Sequence, residues 1–428
     1  MRQMKDSGIE WIGDIPEDWE TMRIQFCLDE VVEKNDPIQT TQVLSLVKDK
    51  GVMLYEEKGD VGNKAKEDCN EYKIAYPNTL VVNSMNILIG SVGISNYFGC
   101  VSPVYYVFKE KKISDLRYIN YIFNTTAFQK ELRRYANGIL EIRLRVSAND
   151  IFKRKIPLPD KSIQIKIANF LDGQCAKIDG LIVHEEAAIE ELKAYKQSVI
   201  TEAVTKGLDR SVSMKDSGVK WIEQIAENHE VIRLKFLLAS QPQYGANESG
   251  ERISENSVRY IRITDITLAN KLNDDENNLY LPKDKAQGYI LRDKDILLAR
   301  SGATVGKSFI YYSSYGESAF AGYLIKIECN STKLLPEYFF YFTQSSLYES
   351  WKNMIFIQAT IQNIGAGKYA NLEMIVTNIE TQKNIIEYLN KKCEEIDSLI
   401  SIKQQKIEKL KEYKKSLIYE YVTGKKEV

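Results

Sequence analysis

Apolar residues recur at alternating steps of three and four along two stretches of the chain, and in short continuous runs elsewhere. The first stretch places Leu171, Cys175, Ile178, Ile182, Ile189, Leu192, Val199 and Ala203 on one face; the second does the same with Leu389, Cys393, Ile396, Ile400, Ile407, Leu410, Leu417 and Tyr421. Both are heptad seams, with the beat broken at Glu185 and Lys196 in one and at Lys403 and Lys414 in the other. Each predicts a helix of roughly 40 residues, about 60 Å long at ~1.5 Å per residue. Helices of that length need a partner. The economical arrangement packs the two against each other as an antiparallel coiled coil about a pseudo-two-fold axis, with Leu171, Ile178, Glu185 and Leu192 facing Leu389, Ile396, Lys403 and Leu410. Glu185 and Lys403 occupy equivalent sites near the helix middles and carry opposite charges, so they are expected to pair. The remaining segments predict strands at Thr79 to Val82, Val104 to Phe108, Ile296 to Leu298 and Tyr323 to Ile327, with helical pieces at Ser114 to Tyr135 and Leu335 to Lys352.

The same text is written twice. Met4 to Phe26 (MKDSGIEWIGDIPEDWETMRIQF) and Met214 to Phe236 (MKDSGVKWIEQIAENHEVIRLKF) agree at 12 of 23 positions, at an offset of 210. At an offset of 218, Leu192 to Thr205 (LKAYKQSVITEAVT) matches Leu410 to Thr423 (LKEYKKSLIYEYVT) at 9 of 14 positions, and Leu171 to Ile182 resembles Leu389 to Ile400. The stretches between show little mutual identity, and a short linker, Gly207 to Ser213, joins the halves. A shared frame with unlike middles presents two different surfaces. The fold expected is α+β: two small mixed α/β domains in tandem, each followed by a long helix. The boundaries are 1–160 for the first domain, 161–207 for the central helix, 208–378 for the second domain and 379–428 for the C-terminal helix.

Composition narrows the chemistry. With 44% hydrophobic and 27% charged residues the chain reads as an ordinary globular protein. The polar start MRQMKDSGIE and the lack of any long apolar run predict a cytoplasmic protein with no membrane partner. Six scattered cysteines without a C-x-x-C pair, and only two histidines, argue against structural zinc and a disulfide framework. The net charge of −1 means that any nucleic-acid surface is a local basic patch. Candidates are Lys130 to Arg134, Arg143 with Arg145, and Lys153 to Lys155.

The motifs M-K-D-S-G-x-x-W-I-x-x-I-P-x-x-W, I-P-L-P (Ile156 to Pro159) followed by Gln164 and Ile167, and L-K-x-Y-K-x-S-x-I-x-E-x-V-T together resemble the specificity subunits of type I restriction-modification systems. The resemblance covers nearly the whole chain. The second copy departs at Ala226 and His229, which replace Pro16 and Trp19, and at Met374 to Thr377 (MIVT), which stands for IPLP. The resemblance implies a non-catalytic reader of a bipartite double-stranded DNA target, each variable domain being a target-recognition domain. It further implies that the paired helices space the two domains and dock methyltransferase subunits, two of them, alongside restriction/translocase subunits. No cofactor is expected on this chain; S-adenosylmethionine, ATP and magnesium would sit on partner subunits.

Candidate DNA-contacting residues follow from the donors and acceptors needed in the major groove, where arginine suits guanine and asparagine or glutamine suits adenine. In the first domain these are Arg143 and Arg145; in the second, Gln358, Thr360, Gln362 and Asn363 stand in the corresponding place, joined by Tyr244, Arg262 and Arg300. Lys307 ends SGATVGKS, a stretch that resembles a phosphate-binding loop but has Ser301 where the first glycine is required; the expected structure is a tight strand-to-strand turn, with Lys307 free to touch a DNA phosphate. Trp11 and Trp221 are read as packing anchors, and Cys175 and Cys393 as small buried seam residues. Two other readings remain open: a nucleotide hydrolase built on SGATVGKS, and a coiled-coil scaffold.

Overall fold

The structure is a computed structural model that describes every residue except 1, 49, 60–68, 139–143, 253–254, 268–269, 274–276, 303 and 358–361. It divides into two compact units that cut across the linear order: Met1–Glu186 with Gln404–Val428, and Ala187–Lys403.

The first unit is built on a four-stranded antiparallel sheet, ordered Leu28–Glu30, Tyr105–Glu110, Thr79–Asn83, Val92–Ser95. Thr79–Asn83 is buried along its length because both faces are covered. Leu80 and Val82 point into a core shared with the helices α1 (Leu116–Phe123) and α2 (Thr126–Arg133), while Val81 faces Leu44, Val52 and Val107 on the other side. The sequence pattern gave one helical piece over Ser114 to Tyr135; the structure has two, because Thr125 leaves helical geometry and caps α2 by accepting from the Phe128 N–H (3.3 Å). A short helix α3 (Ala148–Phe152) then leads into strand Lys155–Leu158, which pairs with Glu20–Arg23, and on to the long helix α4 (Lys161–Lys206).

The second unit repeats the plan with the strand order Gln243–Tyr244, Leu324–Ile327, Ile296–Ala299, Ser308–Ile310, again antiparallel. It adds α5 (Lys283–Ala286) beside a three-stranded sheet in which Ser257–Ile261 runs parallel to Ser318–Phe320. Here too the expected single piece over Leu335 to Lys352 is two helices, α6 (Pro336–Phe342) and α7 (Ser346–Ile357). After α8 (Ala366–Ala370), strand Glu373–Val376 pairs with Glu230–Arg233 and feeds α9 (Ile379–Val422).

Each head is clamped to the start of its helix by one glutamine. Gln164 donates to the carbonyls of Ile113 (3.0 Å) and Pro159 (2.7 Å) and accepts from Asp115 N–H (2.9 Å). Gln382 makes the same set with Lys333, Thr377 and Leu335. This is the physical content of the Q-x-x-I motif: a buried amide stays favourable only when its donors and acceptor are all used.

Within each unit the helix segments run antiparallel. In the first, Lys414 pairs with Asp179 and Lys406 with Glu185, both at 2.6 Å, over a core of Leu171, Cys175 and Ile178 against Leu417, Ile418 and Val422. In the second, Lys196 pairs with Asp397 at 2.7 Å beside Val199, Ile200 and Ala203 packed with Ile385, Leu389 and Cys393. The two lysine–aspartate pairs are repeat equivalents, 218 residues apart, so the lysines that break the apolar beat are the ones that cross the seam. Glu185 is buried and meets Lys406 within its own unit, and Lys403 is half-buried. Ile396 is buried, and Leu192 and Leu410 are half-buried. Cys175 and Cys393 are buried thiols whose pKa burial pushes up, and Trp11 packs edge-on against Phe128 at 5.3 Å.

Candidate nucleic-acid interface

Each head carries a loop that leaves the end of its sheet and returns to the frame. In the first unit the central strand stops where Asn83 folds back, its Oδ1 accepting from the N–H of Met85 (3.0 Å). The next carbonyl, of Ser84, accepts from Val146 N–H (3.0 Å), while Asn137 and Arg145 exchange both backbone hydrogen bonds (2.8 and 2.9 Å). These bonds close a loop whose residues 139–143, Arg143 among them, lie outside the described residues; Arg145 stands exposed at its base.

The second unit builds the same corner. Ile364 N–H donates to the Arg300 carbonyl (2.8 Å), and Asn363 bridges Ser301. Gln358 and Thr360 lie outside the described residues, and Gln362 is exposed. Because Tyr244 pairs with Ile325 and Ala299 with Leu324, the ends of three strands bring Tyr244, Arg300 and the turn at Gly322 together. The Arg300 guanidinium lies over the Tyr244 ring at 4.9 Å and donates weakly to the Gly322 carbonyl (3.4 Å). Tyr244 Oη accepts from Ala366 N–H (3.0 Å), and Gly365 leaves room for that hydroxyl. Gly245 has a comparable reason: a Cβ there would overlap the carbonyls of Phe320 and Ala321. Two polar atoms at this corner, Arg300 Nε and Asn363 Oδ1, are buried without a hydrogen-bond partner among the described residues.

Arg262 and Lys307 have other partners. Arg262 grips the buried Asp265 through Nη2 (2.7 Å) and Nε (3.2 Å) and reaches the Asn277 carbonyl (3.1 Å), bracing a loop. Lys307 donates to the carbonyls of Ile266 (3.2 Å) and Thr267, and burial lowers its pKa. SGATVGKS joins the antiparallel neighbours Ile296–Ala299 and Ser308–Ile310, whereas a phosphate-binding loop needs a helix to follow. Two arginines of the first-unit basic clusters are also engaged: Arg134 pairs with Glu10 (2.8 Å), and Arg154 lies over the Tyr135 ring at 3.4 Å.

The sequence reading passed over two aromatic features. Tyr323, 64% exposed, sits in the turn whose carbonyl accepts from Arg300 N–H (3.0 Å). In the first unit, Tyr76 and Phe98 form an exposed ring pair at 5.4 Å, with the Tyr76 hydroxyl donating to Glu33 (2.9 Å). Their available signal was an aromatic beside turn residues, in AGYL, AYPN and SNYFG. Among the described residues no cluster of His, Cys, Asp and Glu could hold a metal, and no helix is long and apolar enough to cross a membrane.

Comparison with known proteins agrees with this architecture. The family model for the type I restriction modification DNA specificity domain matches residues 16–191 and 243–412. The type I restriction enzyme MjaVIII specificity subunit of Methanocaldococcus jannaschii is 24% identical, over 96% of this chain and 93% of its own. The StySPI specificity subunit of Salmonella potsdam is 22% identical over 65% of this chain and 58% of its own. A chain solved in work on complex assembly and conformational transition of the type I R-M system superimposes with a TM-score of 0.72 at 12% identity, covering 95% of this chain and 98% of that one. With both heads matched by one family model and each followed by its long helix, the chain belongs to the type I restriction-modification DNA specificity family.

Proposed function

We propose that the chain reads a DNA target in two separated parts, one per head, and supplies that specificity to methyltransferase and restriction subunits that dock on it. The observation that carries this reading is the pair of corners just described: the same backbone frame, built twice, holds different polar side chains at the ends of two sheets. The chain itself is non-catalytic in this reading; methyl transfer, ATP use and magnesium binding fall to the partners. The helices α4 and α9, each of which begins in one compact unit and ends in the other, serve as spacer and docking surface.

The test is to express the chain with its methyltransferase subunits in cells lacking other modification systems and to map methylated adenines. A single motif of two defined half-sequences around an unspecified spacer is expected. Methylation at one uninterrupted sequence, or none at all from an assembled complex, would refute the reading.

A further inference from the structure

One backbone slot recurs in the two heads with its flanking frame preserved and its side chain changed. Arg145 and Asn363 are 218 residues apart, the offset that also relates the frame strands Lys155–Leu158 and Glu373–Val376. Each residue forms an antiparallel β-bridge, Arg145 to Asn137 across its own loop and Asn363 to Ser301 past the end of the central strand. Each precedes a fully buried aliphatic residue, Val146 or Ile364, whose N–H is fastened to the residue just past the central strand, Ser84 (3.0 Å) or Arg300 (2.8 Å). Each is followed by a short helix starting at an alanine, Ala148 or Ala366. The Cα of the slot is therefore fixed from both sides, while the side chain is not needed to hold the corner.

Among the described residues, neither side chain has all its polar atoms paired. Arg145 is exposed, and its guanidinium has no hydrogen-bond partner among the described residues. Asn363 keeps its Oδ1 buried and unpaired among the described residues, and the residue after it is fastened by its N–H to the carbonyl of Arg300, whose Nε is likewise unpaired. Polar residues kept for structure in this repeat behave differently: Asp6 and Asp216, at equivalent turns, both accept from the N–H of Gly8 and Gly218 (2.9 and 2.8 Å). A buried polar group without a partner is costly unless a ligand completes it.

The two residue types are those whose geometry matches purine edges in the major groove, arginine to guanine O6 and N7, asparagine to adenine N6 and N7. We propose that this slot reads one purine in each half of the target: Arg145 a guanine in the first half-sequence and Asn363 an adenine in the second, with Arg300 beside it as a second donor. The inference rests on the two-part reading above and adds to it the residues that set one position in each half.

The experiment maps methylated motifs for the full chain, co-expressed with its methyltransferase subunits, as wild type and as Arg145→Ala, Asn363→Ala and Asn363→Arg. Arg145→Ala relaxes a single guanine of the first half-sequence, its preference over other bases falling by about tenfold or more, and leaves the second half intact. Asn363→Ala does the same to a single adenine of the second half, and Asn363→Arg moves that position towards guanine. The conservative variants Arg145→Lys and Asn363→Asp, checked for a wild-type melting temperature, cover the case in which an alanine variant fails to fold; each must weaken the same position. Motifs unchanged at every position, or methylation reduced evenly over all sites, overturn the slot assignment while leaving the two-part reading in place. A wild-type chain that yields no two-part motif sinks the reading itself.

Discussion

Lys307 and His229 show what burial does to an ionisable side chain in the second unit. Lys307 ends a glycine-bearing turn, a setting that suggests a phosphate contact, yet its ammonium is turned inward onto the carbonyls of Ile266 and Thr267. Lys307→Met is expected to cost about 1.5–3 kcal/mol in urea unfolding, the range for hydrogen bonds to charged groups, and to leave the salt dependence of DNA binding unaltered. A shallower salt slope in the variant would return Lys307 to the DNA surface. His229 stands where the first copy has Trp19, and it is fully buried. Its Nδ1 lies 2.8 Å from Asn228 Oδ1, and burial, aided by Lys215, lowers its pKa from 6.5 to about 4. Well above pH 6.5 the ring is neutral in both folded and unfolded chains and contributes nothing to pH dependence. As pH falls from 6.5 towards 4 the unfolded chain binds the proton first, so stability drops, by at most roughly 3 kcal/mol at ~1.4 kcal/mol per pH unit. His229→Phe should flatten the unfolding midpoint over that interval; a variant as acid-sensitive as wild type assigns the loss to other groups.

At the scale of the element, the long helices combine an apolar seam with charged crossings. The seam supplies the stability: Leu171→Ala or Leu389→Ala, both at fully buried positions, should cost about 2–5 kcal/mol. The crossings supply register, since Asp179–Lys414 and Asp397–Lys196 link the same repeat positions in each unit. Their side chains are partly exposed, so Lys414→Ala alone should change stability by only ~0–1 kcal/mol. Asp179→Lys sets two lysines opposite each other and should destabilise by about 1 kcal/mol, which Lys414→Asp added to it recovers. A double variant no more stable than the single, in urea titration, would show that the seam alone fixes the register. The heptad pattern was legible as a face; the crossing partners were not, because a lysine on a seam does not reveal which carboxylate lies across it.

For the whole molecule, the consequential fact is which segments complete which head. The first core contains Leu417, Ile418 and Val422, and the Tyr118 hydroxyl sits between the carbonyls of Pro157 (3.0 Å) and Val422 (2.8 Å). Tyr419 and Lys425 reach the carbonyl of Ile12, at 3.3 and 2.7 Å. The second head is closed by the end of α4, through Val199, Ile200, Ala203 and Val204. Deleting residues 404–428 should therefore unfold the first head, at the opposite end of the sequence, and spare the second. The removed side chains are each worth roughly 2 kcal/mol or more against a total stability of about 5–15 kcal/mol. Hydrogen exchange resolved along the chain checks this: protection should vanish from Leu80 to Phe108 and persist from Ile296 to Ile327. Retained protection in the first head would mean that it folds without its distant helix.

The sequence by itself determined the repeat, the two long helices with their seams, the two inner strands of each four-stranded sheet and the place where each head rejoins its frame. All of these are local or periodic properties: heptads, short β-rich runs and self-similarity survive in one dimension because each depends on neighbours a few residues away or on a copied text. The tertiary structure alone decided that Arg262 is spent on Asp265 and Lys307 on backbone carbonyls, that Tyr244 lies under Arg300, and that the chain's last helical turns complete its first head. Those outcomes depend on which unpaired donor meets which acceptor, and which apolar face meets which, across some hundreds of residues. Composition leaves such choices open, since many arginines and carboxylates could satisfy one another, and only the packed chain selects among them.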